Sequence, residues 1–170
     1  MNTQRSEKKA AEYLKTGNRM KRKIQVCTQK FNSPREKVFH QLCPTRELDW
    51  INGWECDLVY TTTGYVEPDC IFRTSPENSV GEGLWIFTNY VLNEKVEIVR
   101  IIDNCLVMHM RITLADDGDG TSTGTWHMTL TALNEEGNAI IEAMPEENAE
   151  IQKVIQGLEH FLNTGDLVIH

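Results

Sequence analysis

The segment CLVMHMRITLADDGDGTSTGTWHMTLTAL, residues 105–133, decides the fold, because it has the pattern of two strands joined by a turn. Apolar and polar side chains alternate on both sides of the turn, as in strands with one buried face. The connecting ADDGDGT, residues 115–121, is rich in Asp and Gly, which hairpin turns favour. The segment therefore predicts an antiparallel β-hairpin whose apolar face lies in the core.

The strand pairing in this hairpin depends on where the loop is centred. A loop symmetric about Gly118 places His109 opposite His127 and Met110 opposite Trp126. Two opposed histidines are close enough to share a metal ion, but the pattern places no third ligand beside them. We therefore expect a polar pair on the outer face, no metal site and no cofactor.

Further strand-like segments precede the hairpin, and short connections between most of them favour antiparallel pairing. They are residues 23–31, 55–60, 70–74, 84–91 and 96–102. In the first of these strands, Ile24, Val26 and Thr28 share one face.

A long amphipathic helix follows the hairpin, over EENAEIQKVIQGLEHFLNTG, residues 146–165. Its apolar side chains recur at the spacing of one helix face, and Gly165 is a natural C-terminal cap. This stripe consists of Ile151, Val154, Ile155, Leu158, Phe161 and Leu162.

Short helices are predicted between the first and second strands. Ser33 and Glu36 form the capping box of the first helix, and Pro34 suits its first position. Pro44 ends that helix, and a second short helix is predicted over residues 45–49. A further helix can begin within residues 134–143.

These elements predict an α+β fold in which a curved antiparallel sheet of about six or seven strands wraps around the long C-terminal helix. Two short helices follow the first strand. The long helix is the only predicted element large enough to cover the apolar face of the sheet. We assign a single domain to residues 23–170 and a basic N-terminal extension to residues 1–22.

Charge is distributed unevenly along the chain. Residues 1–23 contain eight Lys or Arg against two Glu, whereas the remainder contains nine basic and 23 acidic residues. The acidic body disfavours binding to nucleic acid and to anionic membranes. For the basic extension, we favour a solvated or loosely helical segment docked on the acidic body over one that binds either partner.

The sequence also bears on the compartment. The chain has five cysteines without C-x-x-C spacing, no apolar run of membrane length and no secretory signal. These features predict a cytoplasmic protein with reduced thiols. We expect a monomer or a weak homodimer.

The order of elements and several motifs resemble the START-like, Bet v 1-like (SRPBCC) superfamily of helix-grip proteins. This superfamily includes polyketide cyclases and the activator of the Hsp90 ATPase. The motifs are SPREKVF at 33–39, CPTRELDWINGWEC at 43–56, WHMTLTAL at 126–133 and TG at 164–165. The Trp-rich turn suggests a bacterial subgroup. The resemblance implies a cavity for a hydrophobic small molecule between sheet and C-terminal helix, and it implies no catalytic residue.

We expect this cavity to lie between the Met- and Trp-rich sheet face and the stripe of the last helix. The expected ligand-binding residues are Trp50, Tyr60, Phe72, Met108, Met110, Trp126, Met128, Ile151, Ile155 and Leu158. The methionines also fit ordinary core packing. Trp50 is predicted at the mouth and Trp54 in a mainly structural role. The polar groups expected at the edge are Arg46, Glu47 and Asp49.

Arg73 and Arg100 are isolated cations in apolar strands. A two-residue Asp103–Asn104 turn points Arg100 outward, whereas one bulged residue turns it inward to meet a ligand carboxylate or a buried acid. We expect both arginines on the surface.

Three functions remain open. We favour non-catalytic binding of a hydrophobic or amphipathic small molecule, lipid-like or polyketide-like. The first alternative is a cyclase- or dehydratase-like enzyme that uses a polar group in the same cavity, from Glu47, Asp49, Tyr60 or Arg100. The second is a protein-binding module of the Hsp90-activator kind, acting through the outer sheet face or the basic extension. The sequence contains no Ser-His-Asp order, phosphate-binding glycine loop or nucleotide-binding motif.

Overall fold

The computed structural model describes residues 3–17 and 19–168. In chain order its first elements are helix α1 (Thr3–Thr16), strand β1 (Arg22–Phe31), helix α2 (Arg35–Gln41) and a 3-10 turn (Glu47–Asp49). The strands that follow are β2 (Asp57–Tyr60), β3 (Ile71–Thr74), β4 (Gly83–Val91), β5 (Lys95–Ile102), β6 (Leu106–Asp116) and β7 (Ser122–Ala132). The last helices are α3 (Glu135–Ala143) and α4 (Ala149–Thr164).

The strands of this part of the chain form one antiparallel sheet in the order β1-β7-β6-β5-β4-β3-β2. The first strand therefore pairs with the last, and β2 lies at the opposite edge. Helix α4 packs on the concave face, where Ile155 and Leu158 are almost completely buried. The predicted curved sheet around a C-terminal helix is confirmed.

Both ends of α4 are capped by its own sequence. Asn148 Oδ1 accepts a hydrogen bond from the backbone N–H of Ile151 at 3.1 Å. Gly165 adopts a left-handed conformation at φ 78°, and its N–H donates to the carbonyl of Phe161 at 2.7 Å. The predicted Gly165 cap is confirmed, and the structure adds Asn148 as the N-terminal cap.

The register of the β6–β7 hairpin differs from the prediction by two residues. His109 lies opposite Thr129, and His127 lies opposite Arg111. The loop is centred on Asp119 because Gly118 and Gly120 both take positive φ angles. A shift of two residues leaves every side chain on its predicted face. Both predicted pairs are nevertheless wrong, because Met110 lies opposite Met128 and Trp126 lies opposite Ile112.

The predicted capping box of α2 is also wrong. Pro34 occupies the N-cap position in an extended conformation, and no side chain caps the helix. Ser33 is buried, and its carbonyl accepts a hydrogen bond from Ser122 Oγ at 2.8 Å. The predicted second short helix is the 3-10 turn Glu47–Asp49, and α3 confirms a helix within residues 134–143.

Strand β1 turns its aliphatic side chains away from the core. Ile24 and Val26 are exposed on the outer face. The inner face carries Lys23 and Gln25. The chain that follows α3 covers this edge of the sheet, and its backbone carbonyls accept hydrogen bonds from these two side chains. Lys23 Nζ donates to the carbonyl of Met144 at 2.6 Å, and Gln25 Nε2 donates to that of Pro145 at 2.9 Å.

The basic extension contains a helix that does not pack on the domain through its apolar residues. Side chains at 4–17 are exposed, and Leu14 is 77% exposed, so this part of the extension is not docked on the acidic body. Nearer the domain, Lys21 pairs with Glu142, and the carbonyl of Arg19 accepts from Asn138 Nδ2 at 2.8 Å. The Lys21 N–H donates to Asn138 Oδ1 at 2.7 Å. The boundary between residues 22 and 23 stays a prediction.

Candidate functional site

The loop between α2 and β2 turns both of its tryptophans into the interior. Trp50 and Trp54 are each 5% exposed. Trp50 Nε1 donates to the carbonyl of Gln41 at 3.3 Å, and Trp54 Nε1 donates to that of Pro44 at 2.7 Å. Because backbone carbonyls at the end of α2 and in the loop satisfy the two indole N–H groups, the ring faces are left for apolar packing.

A cavity of about 70 Å³ lies between the concave face of the sheet, this loop and α4. The sheet, the loop between α2 and β2, and α4 all contribute residues to its walls. They consist of Leu42, Glu47, Trp50, Ile51, Trp54, Phe72, Val80, Trp85, Phe87, Ile98, Met110, Ile112, Trp126, Ile151, Val154 and Ile155. Among the described residues that line the cavity, only Glu47 has an ionisable side chain.

The structure brings six of the ten predicted ligand-binding residues together around this cavity. They are Trp50, Phe72, Met110, Trp126, Ile151 and Ile155. Met108, Met128 and Leu158 are buried but pack away from the cavity. Tyr60 is 60% exposed on the edge strand β2, whose four residues are all exposed, so it does not line the cavity.

Aromatic side chains fill much of the space between sheet and helix. The Phe72 and Trp85 rings stack with centroids 5.4 Å apart, and Trp54 meets them edge-on at 6.1 and 6.3 Å. Phe72 also contacts Phe87 at 6.2 Å. The inner cavity, at about 70 Å³, is therefore much smaller than a typical small-molecule site of about 300–1,000 Å³.

Several of these aromatic lining residues were not predicted from the sequence. Trp85 and Phe87 belong to the continuous apolar run LWIF at 84–87. A continuous run has no alternation, so it gives no information about which side chains face inward.

The Glu47 carboxyl lies in an apolar environment. Part of the residue reaches the surface, yet burial of the carboxyl raises its pKa to about 8. No donor in the described ranges makes a hydrogen bond to this carboxyl. Burial and the nearby Glu47 together raise the pKa of Cys56 to about 11, so this neighbouring thiol stays neutral. Glu47 is thus an ionisable group without a protein partner at the cavity wall.

The other predicted edge groups lie outside the cavity. The Arg46 guanidinium is 4.6 Å from the centre of the Tyr65 ring, and Asp49 is exposed. The 3-10 geometry of residues 47–49 separates these neighbours, so Glu47 alone of the three points inward.

An outer vestibule of about 240 Å³ adjoins the inner cavity. Trp50, Ile51 and Val154 line both spaces and so form the wall between them. The remaining vestibule residues are Asn52, Ser79, Glu150, Lys153, Gly157 and Val168. Trp50, which was predicted at the mouth of the cavity, therefore lies buried between the vestibule and the inner cavity.

Arg100 points inward, contrary to the prediction, whereas Arg73 is exposed as predicted. Arg100 pairs with Trp85 and Met108 on the concave face and is 8% exposed. The turn before β6 includes Cys105 as a third residue, and its N–H donates to the carbonyl of Ile102 at 2.9 Å. That extra residue reverses the face of Arg100.

The outer sheet face is polar at β6 and aliphatic towards β3. His109 Nε2 lies 3.1 Å from Glu97 Oε2, and Lys95 Nζ and Arg111 Nε lie within 3.5 Å of Glu97 Oε1. No cluster of three metal-ligating side chains occurs in the described part of the chain. Half-exposed aliphatic side chains cover β3 to β6, namely Ile71, Leu84, Ile86, Val99, Ile101 and Val107.

No protein-family model and no curated protein sequence matches the chain. Several solved structures, in contrast, match the chain in their fold. Norcoclaurine synthase from Thalictrum flavum, in complex with dopamine and hydroxybenzaldehyde, superposes with a TM-score of 0.64 at 9% identity. The match covers 85% of this chain and 88% of that chain.

Two further structures share the architecture. Ara h 8.0201, a Bet v 1 allergen, has a TM-score of 0.56 at 10% identity, with 85% of this chain and 99% of that chain covered. DynU16, from the dynemicin biosynthetic locus, has a TM-score of 0.59 at 13% identity, with 84% and 48% covered.

These similarities define the class of protein at the level of fold. The chain has the Bet v 1-like, START-like helix-grip fold, as its sequence motifs predicted. All five cysteines, which lie within the described ranges, are unpaired thiols. None of the described helices is long and apolar enough to cross a membrane.

Proposed function

We propose that the chain binds a hydrophobic or amphipathic small molecule between the sheet and α4. The apolar part of the ligand packs against the aromatic rings, and its polar group meets Glu47. The observation that carries this proposal is the Glu47 carboxyl, which lies in an aromatic-lined cavity without a hydrogen-bond donor among the described residues. A buried polar group without a partner is costly, and a ligand that supplies one removes that cost.

The volumes indicate how a ligand fits. The inner cavity of about 70 Å³ holds only part of a molecule, whereas the vestibule adds about 240 Å³. Together they reach the lower end of the range for small-molecule sites, about 300 Å³. A ligand that occupies both displaces some of Trp50, Ile51 and Val154. Burial of its apolar surface supplies most of the binding free energy.

The fold supports this proposal without specifying the ligand. The norcoclaurine synthase structure contains two small aromatic molecules, so a protein of this architecture can bind such compounds. For this chain the support comes from its own residues, chiefly the aromatic walls and Glu47.

Catalysis in the same cavity is the second candidate function, and the pKa of Glu47 favours it. A carboxyl with a pKa of about 8 exchanges its proton near neutral pH, which suits a general acid or base. Asp49 and Tyr60 are exposed, and Arg100 lies behind Trp85. Glu47 is therefore the group that a cyclase- or dehydratase-like reaction would use.

A thermal-shift screen tests the binding function. The panel contains long-chain fatty acids, sterols, flavonoids and aromatic polyketides, and native mass spectrometry of gently extracted protein identifies a co-purifying ligand. A ligand at a hundred times its Kd adds about 2.7 kcal/mol to the free energy of unfolding. For a domain of this length, that corresponds to a rise in Tm of roughly 5–11 °C.

Two tryptophan variants on one strand separate cavity binding from surface binding. Met110→Trp fills the cavity and should abolish the shift. Val107→Trp lies on the outer face of the same strand and should retain it. If no compound raises Tm and no ligand co-purifies, the cavity functions are excluded, and the aliphatic outer face becomes the candidate site for a protein partner.

A further inference from the structure

The Glu47 carboxyl differs from the other polar groups around the cavity, because it has no hydrogen-bond partner among the described residues. The Trp50 and Trp54 indoles donate to the backbone carbonyls of Gln41 and Pro44, and Trp85 Nε1 donates to Thr74 Oγ1 at 3.0 Å. These three N–H groups are therefore not available to Glu47 or to a ligand. In its ionised form this carboxyl accepts hydrogen bonds only, so the partner of that form has to bring the donors.

We propose that the natural ligand is an organic cation whose ammonium group pairs with Glu47 while its apolar part lies against the aromatic walls. This inference rests on the proposed function, and it names the class of ligand that the cavity selects. An ammonium group supplies both the donors and the positive charge that Glu47 lacks. A charge-assisted hydrogen bond of this kind is about twice as strong as a neutral one.

The walls around Glu47 also favour positive charge. The faces of aromatic rings carry negative potential and attract cations, and Trp does so most strongly. Trp50 and Trp54 line the cavity together with Glu47. A ligand carboxylate would instead meet another acid and negative ring faces, which disfavours anionic ligands.

None of the described charged or titratable groups near the cavity supplies a partner for the Glu47 carboxyl. Arg46 lies over Tyr65, Asp49 is exposed, and Cys56 remains a neutral thiol. Across the cavity, the residues of α4 that line it are apolar. Arg100 donates to the carbonyls of Val80 and Glu82 at 2.8 and 2.7 Å and is separated from the cavity by Trp85.

The approach to the site is also compatible with a cation. In the vestibule, Lys153 Nζ lies 3.0 Å from Glu150 Oε1, so this lysine is paired. From residue 24 onward the chain carries nine basic and 23 acidic residues. A net negative surface raises the local concentration of cations and their rate of association.

Three probes that share an indole-ethyl frame test the inference: tryptamine (an amine), tryptophol (an alcohol) and indole-3-acetate (a carboxylate). Their Kd values are measured by isothermal titration calorimetry with the full chain at pH 6 and pH 8.5. At pH 8.5, where Glu47 is mostly ionised, we expect tryptamine to bind at least about 10-fold more tightly than tryptophol. At pH 6 the carboxyl is protonated, and the preference should shrink.

Binding of the amine should also release a proton from the carboxyl near neutral pH, because a bound cation lowers the pKa of Glu47. The heat of binding then depends on the ionisation enthalpy of the buffer. This readout needs no variant. For the alcohol, no such buffer dependence is expected.

Glu47→Gln is the direct test, and Asp49→Asn, which removes an exposed carboxylate two residues away, is its matched control. Loss of the amine preference in Glu47→Gln alone supports the inference. Equal binding of amine and alcohol, tighter binding of the carboxylate, or an amine preference that survives in Glu47→Gln overturns it. In each of these cases the binding function itself still stands. If neither the probes nor the hydrophobic panel bind, the proposed function and the inference both fall.

Discussion

The guanidinium carbon of Arg100 lies 4.4 Å from the centre of the Trp85 ring, on the concave face of the sheet. This buried cation has no carboxylate partner among the described residues; two backbone carbonyls accept from it, and its Nε atom has no hydrogen-bond partner. Burial accordingly lowers its pKa to about 10, and it remains charged at neutral pH. Arg100 thus fixes residues 80–82 to the sheet behind the cavity wall.

The space for this arginine depends on Gly83. A Cβ atom added at Gly83 would lie 2.5 Å from Arg100 Nε, which is too close for either atom to stay in place. We expect Gly83→Ala to lower the free energy of unfolding by about 1–3 kcal/mol, measured by urea denaturation. In an Arg100→Met background the penalty should shrink, and the double-mutant cycle measures that coupling.

Gly157→Ala is the matched control, since a Cβ atom there meets nothing within 4 Å. Gly157 lies inside α4, where alanine is favoured over glycine by up to about 1 kcal/mol. The control should therefore be neutral or stabilising. A Gly83→Ala protein as stable as the parent would contradict the role assigned to Arg100.

The pKa of Glu47 predicts an unusual pH dependence of stability. The folded-state pKa of about 8 lies above the ordinary glutamate pKa of 4.5, so between these values the folded state binds more protons than the unfolded state. The contribution of Glu47 is fully present below about pH 4.5 and is lost as pH rises through 8. This shift corresponds to at most on the order of 5 kcal/mol.

Glu47→Gln removes that pH dependence. Denaturation curves from pH 5 to pH 9 should show the parent protein losing stability relative to Glu47→Gln as pH rises. Asp49→Asn, whose carboxylate is exposed, should run parallel to the parent. If the free energies of unfolding of the parent and Glu47→Gln differ by the same amount at every pH in this range, the Glu47 carboxyl is solvated.

The aromatic cluster around Trp54 indicates where truncating a side chain should lower stability most. Trp54→Ala removes ring contacts with Phe72 and Trp85 and leaves a void, so it should lower the free energy of unfolding by about 3–5 kcal/mol. Tyr60→Ala, at an exposed site on β2, should change it by less than about 0.5 kcal/mol. Comparable losses in the two variants would place Tyr60 in the core after all.

We expect two deletions in the N-terminal segment to differ in their effect on the free energy of unfolding. Removing residues 1–17 takes away the side chains at 4–17, which are exposed, and should change stability by about 0.5 kcal/mol or less. Removing residues 1–21 also deletes the Lys21 contacts with Asn138 and with the N–H of Ala132. Each lost hydrogen bond costs about 1 kcal/mol. Thermal unfolding of both proteins decides whether the domain begins before residue 23.

The elements of this fold were predictable because their signals are local. The α4 stripe and the alternation in β6 and β7 each repeat over many residues, and Gly165 marks a helix end by its own conformational preference. The prediction of which hairpin side chains face the core was correct, even though the predicted pairing of the two strands was not. A shift of two residues preserves the alternation that carries the signal.

The direction of single side chains was not predictable where one loop residue decides it. Cys105 extends the turn after β5 and turns Arg100 inward, although a shorter turn fits the same sequence. The cavity volume depends on how Trp54, Phe72 and Trp85 pack against one another. That packing is a property of three distant segments, and no local pattern encodes it.

The wall of Trp50, Ile51 and Val154 between the vestibule and the inner cavity has a kinetic consequence. A ligand that has to move these side chains associates more slowly than diffusion allows, and the same barrier delays its escape. Shortening one of them, as in Val154→Ala, should accelerate both steps while changing Kd much less. Occupancy would then respond slowly to changes in ligand concentration, so a bound molecule can survive purification and be identified.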